Sequence, residues 1–396
     1  MKLFFVFVLV LSVVILNSWS VSASSNFNVL HYGATGNGKT DDSQAFLRAW
    51  KDVCEATEGI PTLHVPLAKS YLLNPLTFEG PCKSKQINIH LRGTLVAPSK
   101  DAWPSDKKDK WIKFYDIDGL TISGGGQIDG QGSSWWKDCE EHCKRPTALF
   151  FHNCNGLRLS NMKHINSGKN HISINVCNDV IVSNIHITAP DESPNTDGID
   201  ISRSNNVLIK NSFMATGDDC VAINNGSSNI NIVGVTCGPG HGISIGSLGE
   251  DRKYNTVENI FVSNCFFKGT QNGVRIKTWE GGYGYARNIT FEKITLTNTK
   301  NPIIIDQYYT ALASARKNKE LNIKVSDVTY REVYGTSANE NAIILNCSRA
   351  RCTNIVMNNV NIKTSTPGKE AKAFCQNVEG KAELAVPTVP CLSKSD

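Results

Sequence analysis

One short pattern, apolar-x-apolar-x-polar, keeps returning in this chain and constrains its fold more than any other feature. It reads LRLSN from Leu157, VIVSN from Val180, VLIKN from Val207, INIVG from Ile230, IFVSN from Ile260, ITFEK from Ile289, IKVSD from Ile323 and IVMNN from Ile355. The starts stand 23, 27, 23, 30, 29, 34 and 32 residues apart. A repeat of that size marks a solenoid or an array, because a unit too small to bury its apolar face alone buries it against the next. Inside each unit the period is two, the period of a strand. Asn161, Asn184, Asn211, Asn264 and Asn359 close successive strands, where stacked amides can bond up and down the stack.

The pattern therefore predicts an all-β fold, a single-stranded right-handed parallel β-helix with coils about 4.8 Å apart. A β-propeller would need hairpin turns that the sequence does not show. A solenoid also needs covered ends. In SQAFLRAWKDVCEAT, Ser43 to Thr57, helical spacing puts Phe46, Ala49, Trp50 and Val53 on one face. This segment is expected to be a short N-terminal capping helix, with Asp41 or Asp42 at its start.

The chain opens MKLFFVFVLVLSVVILNSWSVSASS, an early lysine, an apolar run and the small triplet Val21-Ser22-Ala23. Residues 1–23 read as a secretory signal peptide cut before Ser24, with a membrane anchor as the competing reading. The expected mature protein is one β-helix domain over 24–396, secreted to the extracellular space or cell wall and with no membrane contact once the signal is removed. All 13 cysteines follow the signal, an odd number, so at least one lacks a partner within the chain. Cys139/Cys143 and Cys347/Cys352 are spaced as local staples. Three sequons, at Asn225, Asn288 and Asn346, suit a glycoprotein of the same compartment. The net charge of +5 falls to +4 without Lys2, far from a nucleic-acid footprint.

One motif misleads. GATGNGKT, Gly33 to Thr40, has the form of a phosphate loop. Export removes the nucleotide pool and no βαβ alternation follows, so it reads as a glycine-rich turn into the cap.

Four polar motifs fall in successive units: Asn195-Thr196-Asp197 in NTDGIDI, Asp218-Asp219 in GDDCVAI, His241 in GHGISI, and Arg275 with Lys277 in NGVRIKT. Asp197 precedes Asp218 by 21 residues and Asp219 precedes His241 by 22, one coil each. The groups should stack on one face. If Ile276 enters the core, Arg275 and Lys277 both project beside the aspartates. Asp218 and Asp219 cannot both point outward from a regular strand, so Gly217 is expected to allow a bend that Cys220 pins. Crowded carboxylates repel, so at least one should hold its proton. That supplies an acid and bases together, as glycoside hydrolysis requires. A Ca²⁺ site is the competing use of three aspartates; His241 and two cations argue against it, and no metal or other cofactor is expected.

NTD, GDD, GHG and RIK, in this order and spacing, resemble the polygalacturonases of glycoside hydrolase family 28, closest to plant members. The likeness runs from FNVLHYGATGNGKTDD through GPGHGISIGSLG to PIIIDQYY. It implies the pectin-lyase-like solenoid and hydrolysis of α-1,4 bonds in polygalacturonate, without metal and with inversion. By similarity Asp218 is the general acid, Asp197 and Asp219 activate water, and His241 supports the acid. Asn195, Arg275, Lys277 and Tyr309 then bind substrate, with Tyr308 the poorer match. The implied partner is pectin, with the chain acting as a monomer and endo action preferred over exo. A pectate lyase is the rival enzyme, and a wall-binding or allergen-like homologue without catalysis the rival from another class. Inverting enzymes separate their carboxyls by about 6.5–9.5 Å and retaining ones by about 5–5.5 Å. Neighbouring coils suggest the shorter value, in tension with the implied inversion.

Overall fold

The computed structural model describes residues 25–104, 108–137, 143–309 and 321–394. The expected signal peptide, Cys139, the loop at Ala311–Lys319 and part of the loop at Lys100–Asp109 lie outside the described residues.

The chain winds as a stack of parallel coils. One face is a sheet of eleven strands in chain order, from Leu76–Glu79 to Lys372–Gln376. Five of them position the site: β1 (Ile199–Ser202), β2 (Val221–Ile223), β3 (Ile243–Leu248), β4 (Asn272–Thr278) and β5 (Asn301–Asp306). Their register aligns Ile201, Ile223, Ile245, Ile276 and Ile305 in a column that points inward, each 0% exposed. Strand alternation then turns Asp200, Ala222, Ser244, Arg275 and Ile304 the other way, as a second column on the outer face.

The repeated units form the larger sheet on the remaining faces. Leu159, Val182, Ile209, Ile232, Val262, Phe291, Tyr330 and Met357 are consecutive neighbours there, all fully buried. One unit is shifted. Ile289 pairs with Val328, so VTYRE from Val328 is the seventh repeat, and IKVSD from Ile323 leads into it. Asp327 is left-handed (φ 57°), and that residue restarts the alternation after Val325.

The strand-closing asparagines do a different job from the one expected. Asn161, Asn184, Asn211, Asn264 and Asn359 take φ between 50° and 57°, which bends each strand around the solenoid corner. The bonded amide stack lies one position before the strands: Asn259 donates to Asn229 at 3.0 Å, and Asn288 to Asn259 at 2.7 Å.

The cap is helix α1 (Ser43–Glu55), which buries Phe46, Ala49, Trp50 and Val53. Trp50 Nε1 donates to the Glu79 carbonyl at 3.0 Å, and a Cys54–Cys82 disulfide ties down the helix end. The phosphate-loop look-alike holds an anion of its own chain: Thr35 and Gly36 N–H donate to the Asp42 carboxylate at 2.6 and 3.0 Å. Further disulfides join Cys220–Cys237, Cys347–Cys352 and Cys375–Cys391. Cys143 is also disulfide-bonded, while Cys154, Cys177 and Cys265 are free and buried.

Candidate active site

The four motifs meet on the outer face of β1 to β4. Asp219 precedes β2 and is fully buried. Its Oδ1 accepts from Ser244 Oγ at 2.7 Å and Arg275 Nη2 at 2.6 Å, and its Oδ2 accepts from Lys277 Nζ at 2.8 Å. Ile276 enters the core, so Arg275 and Lys277 share the outer face, each 8% exposed. Burial works against both cations, but the charge and hydrogen bonds of Asp219, together with the nearby Tyr309, outweigh it and raise their pKa values. Tyr309 lies alongside, its ring centre 5.3 Å from Lys277 Nζ and 6.0 Å from Arg275 Cζ.

Asp218 faces the other way from its neighbour. Its Oδ1 accepts from the Asp219 N–H at 2.8 Å and stands 2.9 Å from His241 Nδ1, while its Oδ2 accepts from Asn195 Nδ2 at 3.3 Å. Burial pushes the Asp218 carboxyl up, but His241, Lys277 and the Asp219 N–H together hold it below the usual range. Asp197 is the opposite case. Burial raises it well above the ordinary carboxylate value, repulsion from Asp200, Asp218 and Asp219 adds to this, and Lys277 offsets it only in part. The two carboxyls are thus driven apart, Asp197 toward its protonated form by burial and then repulsion, Asp218 toward its charged form because it has the better donors.

The bend at Gly217 arises from space, not from backbone freedom. A Cβ there would stand 2.0 Å from the Ser193 carbonyl, and the residue is not left-handed. Gly217 N–H donates to Thr196 Oγ1 at 3.0 Å, which ties the GDD bend to the NTD loop. Cys220 pins the next residues through its disulfide to Cys237.

Three contributors escape the motif reading. Ser244 bridges Asp219 and Arg275, donating to the first and accepting from Arg275 Nε at 2.9 Å. Asp200 stands in the outer column one strand from Ala222. Both could be found by aligning GIDI, CVAI, GISI and GVRI, which puts Asp200, Ala222, Ser244 and Arg275 at one position. Arg145, 6% exposed, donates to the carbonyls of Gly168 and Pro194 and, at 2.6 Å, to Asn195 Oδ1. No local sequence signal marks it.

Ligand atoms of Asp218, Asp219 and His241 lie within 4.8 Å of one another, a spacing that could hold a cation. Both oxygens of Asp219 already face Arg275 or Lys277, so the position a metal would fill is served by the chain's own cations. An oxygen of Asp218 and one of Asp219 lie within that 4.8 Å, below the about 6.5–9.5 Å usual between the carboxyls of inverting enzymes.

A parallel β-helix with aspartates on two neighbouring coils, a histidine on the next and a flanking cation pair defines a polysaccharide-processing class of protein. Residues 54–386 match Glycosyl hydrolases family 28, and the chain belongs to that family. It is 51% identical over 379 residues to a probable polygalacturonase of Arabidopsis thaliana, covering 94% of this chain and 82% of that one. A polygalacturonase of Persea americana is 42% identical, covering 90% and 78%. Among solved structures, an endo-xylogalacturonan hydrolase from Aspergillus tubingensis has a TM-score of 0.79 at 25% identity, covering 91% and 98%. An exopolygalacturonase from Thermotoga maritima has a TM-score of 0.76 at 21% identity, covering 90% of each chain, and shows the shared fold.

Proposed function

We propose that this protein hydrolyses α-1,4 bonds between galacturonic acid residues of pectin in the extracellular space or wall, acting as a monomer. One observation carries it. On a single outer face, Asp218 is engaged by His241 while Asp219 is clamped by Arg275 and Lys277. Two adjacent carboxyls are thereby given different electrostatic surroundings, which is how acid and base roles are divided in glycoside hydrolysis.

Asp218 is the general acid. Its side chain is 16% exposed against 1% for Asp219, so it is the one of the pair that reaches a leaving oxygen. An arriving uronate adds negative charge and draws a further proton onto the cluster, and His241 Nδ1 is placed to deliver it to Asp218 Oδ1. Asp219, with Asp197 beside it once its proton has shifted, takes the proton of the attacking water. The glycosidic oxygen leaves protonated and the water oxygen bonds to the anomeric carbon. Asn195 orients the Asp218 carboxyl, and Arg275, Lys277 and Tyr309 border the uronate ring. Endo action and inversion are the preferred finer readings.

The test is digestion of polygalacturonate. Mixed oligomers at early times are expected, and monomer alone would mean exo action. Proton NMR of the first-formed anomer should show the β form; an α product rejects inversion. Asp218→Asn should abolish hydrolysis and keep polymer binding, and full activity in that variant removes the acid assignment.

A further inference from the structure

Asp200 shares the outer column with Ser244 and Arg275 but not their bonding. Asp219 has three side-chain donors, two of them cationic. Among the described residues, the only side-chain donor to Asp200 is a neutral amide: Asn170 Nδ2 bonds to Oδ2, and Asn170 Oδ1 is itself held by Thr147 Oγ1 at 2.8 Å. Asp200 Oδ1 is shielded from solvent and has no hydrogen-bond partner among those residues. A charged oxygen in that position forfeits its hydration with nothing in return, which favours the neutral form. The charges that face Asp200 do not repair this. Asp197 lies on its own loop, Asp218 and Asp219 stand on the next coil, and Lys277 is committed to Asp219. Lys169, on the preceding coil, is exposed.

We propose that Asp200 is a positioning residue of the reactive cluster, a carboxyl that stays protonated while the enzyme works and whose ionisation disables the site. The proposal rests on the pectin-hydrolase reading. A neutral Asp200 lets Asp197 and Asp219 share the groove floor with an anionic polymer. An ionised one adds a third negative charge to those of Asp218 and Asp219, holds the Asp197 proton in place, and repels the uronate. Burial, followed by the charge of Asp219, raises this carboxyl to about 7, which puts the transition on the alkaline side of the working range.

The experiment compares pH profiles of kcat and kcat/KM on polygalacturonate for wild type, Asp200→Asn and Asn170→Leu. Asn is a permanently neutral replacement that fits the same space. Wild-type activity should fall about tenfold per pH unit above neutrality. Asp200→Asn should stay within about threefold of wild type at acid pH, with its alkaline limb moved up by about one unit or more. Asn170→Leu removes the donor to Oδ2, favours the protonated form, and should also move the limb up; it keeps the idea testable if Asp200→Asn does not fold. An alkaline limb that stays in place in the folded variant overturns the proposal. Infrared difference spectra of the full chain provide a readout independent of turnover: a protonated-carboxyl band should titrate near neutrality in wild type and be missing from the Asp200→Asn spectrum, which keeps only what Asp197 contributes. No such band overturns the proposal too. If wild type cleaves no polygalacturonate at any pH, the functional reading fails, while the spectra still decide the state of Asp200.

Discussion

At the scale of single residues, the site is a set of charges whose surroundings were built to differ. Asp219 is fully buried between Arg275 and Lys277, so removing its charge strands two buried cations. Asp219→Asn should therefore lower unfolding free energy by about 3 kcal/mol as well as eliminate turnover. Urea unfolding at fixed pH checks this, and a change below about 1 kcal/mol would contradict the clamp. Arg145 works at one remove, bonding Asn195 and the Pro194 carbonyl. Arg145→Ala should reduce kcat/KM by about 10–100-fold through misplacement of the NTD loop. Arg145→Lys should not restore it, because a point charge cannot span three acceptors. The motifs could not reveal this residue. Its partner Asn195 is 50 positions away, and CKRPTALFF carries no alternation that would mark an inward-reaching arginine. Asp200 and Ser244 are legible in principle, since both lie inside NTDGIDI and GHGISI and the strand rule places them in the column of Arg275, but neither carries a local signal that separates it from an ordinary strand residue.

At the scale of elements, two adjacent aspartates point apart because the bend before β2 is held on both sides. Gly217→Ala would drive a methyl group into the Ser193 carbonyl, 2.0 Å from the ideal Cβ position. The bend must open, Asp218 must move from His241, and kcat should fall about 100-fold at little change in KM. Steady-state kinetics tests it; an unchanged kcat would mean the bend is not set by close packing. The Cys220–Cys237 bridge holds the other side across 17 residues. Its replacement by alanines should cost about 2–4 kcal/mol. The strands themselves were readable because their alternation answers directly to the core. Phase was not readable where left-handed residues reset it, as Asp327 does for the unit that starts at Val328. The pairing of Cys220 was equally hidden, since it depends on which residues one coil returns to the same edge.

At the scale of the whole molecule, the solenoid buries ionisable groups of both kinds, and their effects on acid stability oppose each other. His164 and His171 lie fully buried, and none of their four ring nitrogens has a hydrogen-bond partner among the described residues. Burial lowers His164 to about 3 and His171 well below its usual value, so both stay neutral when folded. The unfolded chain protonates them below about pH 6.5, so their contribution to stability is lost as pH falls from there. Asp200, raised to about 7, behaves in the reverse sense: the folded form binds a proton that the unfolded chain binds only below about 4, so folding is favoured as pH falls between those values. Asp197 is raised in the same direction. Between about pH 4 and 6.5 the histidine and carboxyl protons oppose each other, so unfolding free energy should fall less steeply with acid than two buried histidines alone would make it. His164→Leu unbalances them. It removes one opposing proton and two buried unpaired nitrogens, so the variant should be more stable than wild type at acid pH. On lowering pH from 6 to 5, its unfolding free energy should change by about 1.4 kcal/mol more favourably than that of wild type, the one proton of His164. Urea titrations of both proteins at the two pH values decide it. A wild type that loses about 2.7 kcal/mol over that unit would mean that both histidines titrate against no opposing carboxyl. A variant with the same pH dependence as wild type would mean that His164 is already protonated in the folded protein.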